Sequence, residues 1–116
     1  MEENKEVKFE VIYAVLNNGF ADQAMIAARE AGARGGTIIH ARGSSNIGVD
    51  KKYGITLTPE KEVLMILTTD ELKDGIMKAI HECLVREDHK GIVFSLPVES
   101  TSGLHYEKYQ SVEKHQ

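Results

Sequence analysis

An α+β fold, with two helices on one face of a four-stranded antiparallel sheet, is what this 116-residue chain predicts, and three observations carry the prediction. Four short runs are rich in β-branched and aromatic residues and are bounded by turn-forming residues. Two stretches between them repeat apolar residues at three- and four-residue spacing, the period of a helix with one buried side. Their order is strand, helix, strand, long loop, strand, helix, strand, which is the split βαβ or ferredoxin-like βαββαβ plan.

The first strand is Phe9-Glu10-Val11-Ile12-Tyr13-Ala14-Val15-Leu16, too short and too apolar for a surface helix. Asn17-Asn18-Gly19 interrupts it, and Asn18 is placed to cap a helix because its side chain accepts bonds from free first-turn amides. From Phe20 to Ala31 the set Phe20, Ala24, Ala27, Ala28 and Ala31 predicts that helix, with Gly32 ending it. Its alanine face implies close approach to the sheet.

Thr37 to Arg42 reads as the second strand and Glu62 to Thr68 as the third. Between them, Gly43 to Lys61 holds glycines, serines and Pro59 among scattered apolar residues, so a long loop is expected, a feature more often functional than idle. Lys51-Lys52 within it reads as a solvated charge pair. Thr68 with Glu71 matches a capping box, with Thr69 and Asp70 as caps in shifted registers. Leu72, Ile76, Ala79, Ile80 and Cys83 then form one stripe of a helix through about Leu84, and Ile92 to Leu96 is a fourth strand expected to stop at Pro97.

Composition narrows the function. With 41% hydrophobic and 28% charged residues the chain is ordinary globular material, read as one domain over 1–116 with its core at about 9–98 and an extension over 99–116. A net charge of −4 gives no basic field for nucleic acid, and the central strands lack the aromatic pair that stacks RNA bases. Cys83 is the only cysteine, which excludes an internal disulfide and a thiolate zinc cage, and its place on the apolar stripe marks a buried thiol. The N-terminus is polar and no apolar run nears the roughly 18 residues of a membrane span, so the expectation is a cytoplasmic protein.

No catalytic constellation is evident. Glu2-Glu3, Glu60-Glu62 and Glu87-Asp88 fall in expected surface segments, whereas acid/base work needs a desolvated cleft that separates two pKa values. His40, His81, His89, His105 and His115 form no compact ligand motif, and His81 and Cys83, two apart on a helix, face different ways. The expected function is not enzymatic. Because both faces of the first and third strands are apolar, with only two helices to cover one of them, a second subunit is expected to cover the other.

Gly32-Ala33-Arg34-Gly35-Gly36-Thr37-Ile38-Ile39-His40-Ala41-Arg42-Gly43 is similar to the second-strand signature of the nitrogen regulatory protein PII family, and Gly91-Ile92-Val93-Phe94-Ser95-Leu96-Pro97-Val98 resembles its last core strand with the preceding glycine turn. The resemblance covers roughly residues 9–98 and implies a homotrimer with adenine-nucleotide clefts between subunits, no cofactor beyond ATP, ADP or AMP as effector, and a loop that regulates a membrane transporter or metabolic enzyme. It implies Gly35, Gly36 and Thr37 on the adenine side, and Gly43, Ser44 and Ser45, with Lys90 and Gly91 from a neighbour, on the phosphate side. Glycine permits close backbone approach and offers amide donors, while short hydroxyls add donors without bulk. Departures are visible: Lys90 precedes Gly91 where the family has lysine after the glycine, Ser100-Thr101-Ser102 replaces a basic pair, and Tyr53 matches no modification site. A CutA-like trimeric metal-binding protein and an ACT-like small-molecule module are the alternatives.

Overall fold

The computed structural model describes residues 7–43 and 60–103. Its elements are β1 (Phe9–Asn17), α1 (Ala21–Glu30), β2 (Thr37–Arg42), β3 (Glu60–Thr69), α2 (Asp70–Arg86) and β4 (Ile92–Val98). The strands form one sheet in the order β2-β3-β1-β4, antiparallel throughout. This is the ferredoxin-like arrangement that the element order predicts.

The core lies between the helices and one sheet face. Alternation along β1 sends Ile12, Ala14 and Leu16 inward, and the register brings Leu64 and Ile66 of β3 beside them. Ala21, Ala24, Met25 and Ala28 of α1 and Ile76, Ile80 and Leu84 of α2 close over this layer. Cys83 is buried, as its stripe position implies. Gly36 shows how tight the packing is: a Cβ there would sit 2.9 Å from Met25 Sδ and 3.1 Å from side-chain carbons of Leu64 and Ile66.

Local capping logic fails at both helix starts. The residue at the α1 N-cap is Phe20, not Asn18, and it makes no side-chain cap. Instead Glu62, buried on β3 and 41 positions away, accepts the Ala21 N–H with Oε1 at 2.9 Å. Its charge suits the positive helix end. For α2 the N-cap is Thr69, again without a side-chain bond, so the Thr68/Glu71 box does not form. Among the described residues the buried Thr69 hydroxyl has no partner, while the Asp70 N–H donates to the Lys8 carbonyl at 2.9 Å.

The C-terminal ends follow expectation more closely. Gly32, at φ 113°, closes α1 with the Gly32 and Ala33 amides donating to the Arg29 and Ala28 carbonyls. That is a Schellman motif, in which a left-handed residue turns the chain back on the helix. The end of α2 repeats it with Asp88 at φ 53° in the glycine position. Pro97 does not stop β4, which continues to Val98 with Pro97 opposite Glu10. An edge strand accommodates proline because its outer side owes no ladder bond.

Candidate functional site

The sheet face away from the helices is a continuous apolar surface. Cross-strand rows place Phe94 beside Tyr13 beside Met65, then Ile92, Val15, Val63 and Ile39, then Leu96, Val11 and Leu67. Phe94 and Tyr13 hold their rings 5.5 Å apart, yet Phe94 is 41% exposed, Leu96 48% and Ile92 63%. This face ends in two grooves, one at each end of the strands, and the candidate residues divide between them.

One groove, of about 660 Å³, has Val11, Met65 and Leu67 as its floor. Arg34, Gly35, Gly36 and Thr37, which lead into β2, form one wall, with Val98 and Thr101 opposite. The two glycines differ in their reasons. Gly36 is demanded by packing, as described above, whereas a Cβ on Gly35 would meet nothing within 4 Å. The fold itself therefore gives no steric reason for glycine at 35.

The second groove, of about 520 Å³, lies at the far end, where β1 and β2 finish and β3 begins. Val15, Val63 and Ile92 continue the apolar floor, and Arg42, Gly43, Lys61, Lys90 and Gly91 surround it. Three cationic residues line it in an acidic chain, with Arg42 opposite Glu60 in the strand pairing. Among the described residues none of Arg42, Lys61 and Lys90 is ion-paired. Cationic side chains around an open groove can form charge-assisted hydrogen bonds to an anion that enters it. Gly91 must be glycine for space, because a Cβ would lie 2.9 Å from the Val15 carbonyl oxygen.

Hydrogen bonds fix this end of the sheet. The Asn17 side-chain oxygen accepts Lys61 Nζ at 2.8 Å. The Asn17 amide in turn donates to His89 Nε2 at 3.2 Å, and the His89 ring stacks on Phe20 with centroids 3.8 Å apart at 14°.

Thus the structure brings Gly35, Gly36 and Thr37 together at one end and Gly43, Lys90 and Gly91 together at the other; Ser44, Ser45, Lys51, Lys52 and Tyr53 lie outside the described residues. The seven steps from Gly36 to Gly43 span roughly 23 Å at about 3.3 Å per strand residue. Gly91, which the resemblance assigns to a neighbour, already shares a groove with Gly43 of its own chain. Arg42, Lys61 and His89 were not singled out as binding residues by sequence. For Arg42 and Lys61 a signal existed, since they flank the two feet of the loop; for His89 none did, because its partners Asn17 and Phe20 are far away in the chain.

Comparison with known proteins settles the family. The family model for nitrogen regulatory protein P-II matches residues 9–108. This chain belongs to the P-II family. Solved structures agree in fold at low identity. The P-II chain is 22% identical to Arabidopsis thaliana PII bound to citrate, with a TM-score of 0.61 over 80% of this chain and 77% of that one. A PII-like signalling protein from Thermus thermophilus matches at 19% identity and TM-score 0.62, covering 89% and 96%. A nitrogen regulatory PII-like protein from Thiomonas intermedia, bound to ADP, AMP and bicarbonate, matches at 16% identity and TM-score 0.62, covering 85% and 100%. A search of curated proteins finds no significant match. Among the described residues of this P-II chain, no helix is long and apolar enough to cross a membrane.

Proposed function

We propose that this P-II protein is a non-catalytic, cytoplasmic signalling subunit that binds an adenine nucleotide in clefts between the subunits of a homotrimer. Its long loop carries the signal to a transporter or enzyme of nitrogen or carbon metabolism. The observation that supports this most is the pair of grooves at opposite ends of one apolar face. The Gly35 groove offers an apolar floor and a glycine-edged wall suited to a flat base, and the Lys90 groove offers three cations suited to phosphates. At roughly 23 Å apart along β2, they do not serve one nucleotide within a single chain. Packing the apolar faces of neighbouring chains together brings the base groove of one subunit toward the cationic groove of the next.

A thermal-shift panel of ATP, ADP, AMP, cyclic nucleotides, bicarbonate and 2-oxoglutarate tests the reading. A ligand at about a hundredfold its Kd stabilises the folded state by about 2.7 kcal/mol. At least one adenine nucleotide is expected to raise Tm by several degrees. Gly35→Ala is expected to leave the ligand-free Tm unchanged while reducing that shift, because nothing in the fold occupies the space of its new methyl group. Indifference to every nucleotide, or a Gly35→Ala protein that binds as the parent does, contradicts the proposal.

A further inference from the structure

His89 lines neither groove, yet three elements converge on this one residue. Its backbone is fixed by the end of α2, where the His89 N–H donates to the Leu84 carbonyl at 2.8 Å. Its side chain reaches across to the start of α1, stacking on Phe20 at 3.8 Å, and to the end of β1, where Nε2 accepts the Asn17 N–H. Acceptance at Nε2 requires a neutral ring with its proton on Nδ1. The next residues, Lys90 and Gly91, line the cationic groove, and Asn17 also holds Lys61 of the same groove through its side-chain oxygen.

We infer that His89 is the positioning residue of the cationic groove: its bond to Asn17 and its stack on Phe20 pin the turn carrying Lys90 to the sheet, setting Lys90 and Lys61 before an anion arrives. The inference rests on the reading of that groove as an anion site. Its physical basis is electrostatic. Lys61 and Lys90 line the same groove as like charges, and a long lysine side chain on an unpinned turn would spread away from the other. Holding them together in advance removes the ordering cost from the binding step, which is how preorganisation raises affinity. The arrangement also explains why a histidine is used here. A phenylalanine would keep the stack but lose the acceptor, and an alanine would lose both.

The test is a double-mutant cycle read by calorimetric binding of inorganic triphosphate, with Lys90→Ala and His89→Phe made singly and together. His89→Phe is expected to weaken binding about tenfold, the scale of one lost hydrogen bond, in the parent protein. In the Lys90→Ala background the same change should cost less than about twofold, because a residue that acts through Lys90 has nothing left to position. Equal losses in both backgrounds, or no loss from His89→Phe in a protein where Lys90→Ala does weaken binding, overturn the inference while leaving the anion site standing. Unchanged binding in Lys90→Ala removes the anion site itself, and the role of His89 with it. Nitrogen-15 spectra of the imidazole give an independent reading: the Nδ1-protonated tautomer is expected in the ligand-free protein, and the Nε2-protonated one contradicts the proposed bond.

Discussion

Glu62 carries more of the fold than its place near the start of β3 suggests. Its carboxylate is almost fully buried and satisfies the Ala21 amide at the start of α1, so removing it leaves an orphan donor and strips a negative charge from the positive end of the helix. Glu62→Ala is expected to lower stability by about 2 kcal/mol, and Glu62→Gln, which keeps an acceptor, by clearly less. Urea unfolding of the two variants checks the order; equal stability would show that the cap contributes nothing. This residue also marks where sequence reasoning stops. Asn18 has the right chemistry for a cap and the right local spacing, but the donor is met from 41 positions away, and only the antiparallel register of β1 and β3 places Glu62 there. His89 is the same kind of case, since its contacts with Asn17 and Phe20 exist only after the fold has closed. The tight packing at Gly36 and Gly91, by contrast, could be expected from the chain, because glycine at a turn or strand start marks close approach.

Among the elements, α2 and the turn that ends it hold two residues that work against the helix. Gly75 lies inside the helix with open space where a Cβ would be, so Gly75→Ala should stabilise by about 0.5–1 kcal/mol through the lost freedom of the unfolded chain. Asp88 adopts φ 53° at the helix end, where the left-handed conformation costs an L-residue about 1–2 kcal/mol, so Asp88→Gly is expected to stabilise by about 1 kcal/mol. The two sites are thirteen positions apart, about 20 Å at the helical rise, far enough for the two gains to add. Denaturant midpoints of both single variants and the double variant measure this, and a loss at either position contradicts the stated cause. The helices and strands themselves were legible because amphipathic period and β-branched runs are local signals, and β2 is Thr37–Arg42 in both readings. Pro97 misled because whether a strand sits at the edge of a sheet is a property of topology, not of the strand.

Among the described residues the molecule has one helix-covered face and one bare apolar face, and the proposed assembly and ligand site both depend on that asymmetry. Phe94 stands midway along the edge strand β4 on the bare face, packed on Tyr13 but 41% exposed, and full burial of such a side chain is worth about 1.5–3 kcal/mol. Phe94→Asp puts a charge into any interface formed there and is expected to shift the protein to single chains in sedimentation velocity. Val85→Asp, at a 65% exposed position on α2, should leave the assembly unchanged. If Phe94→Asp assembles as the parent does, the bare face is not the interface. The most direct measurement is the mass of the unmodified protein by light scattering at micromolar concentration. Three chains of 12.9 kDa predict about 39 kDa, whereas a mass of one or two chains would leave the two grooves unjoined and contradict the intersubunit site.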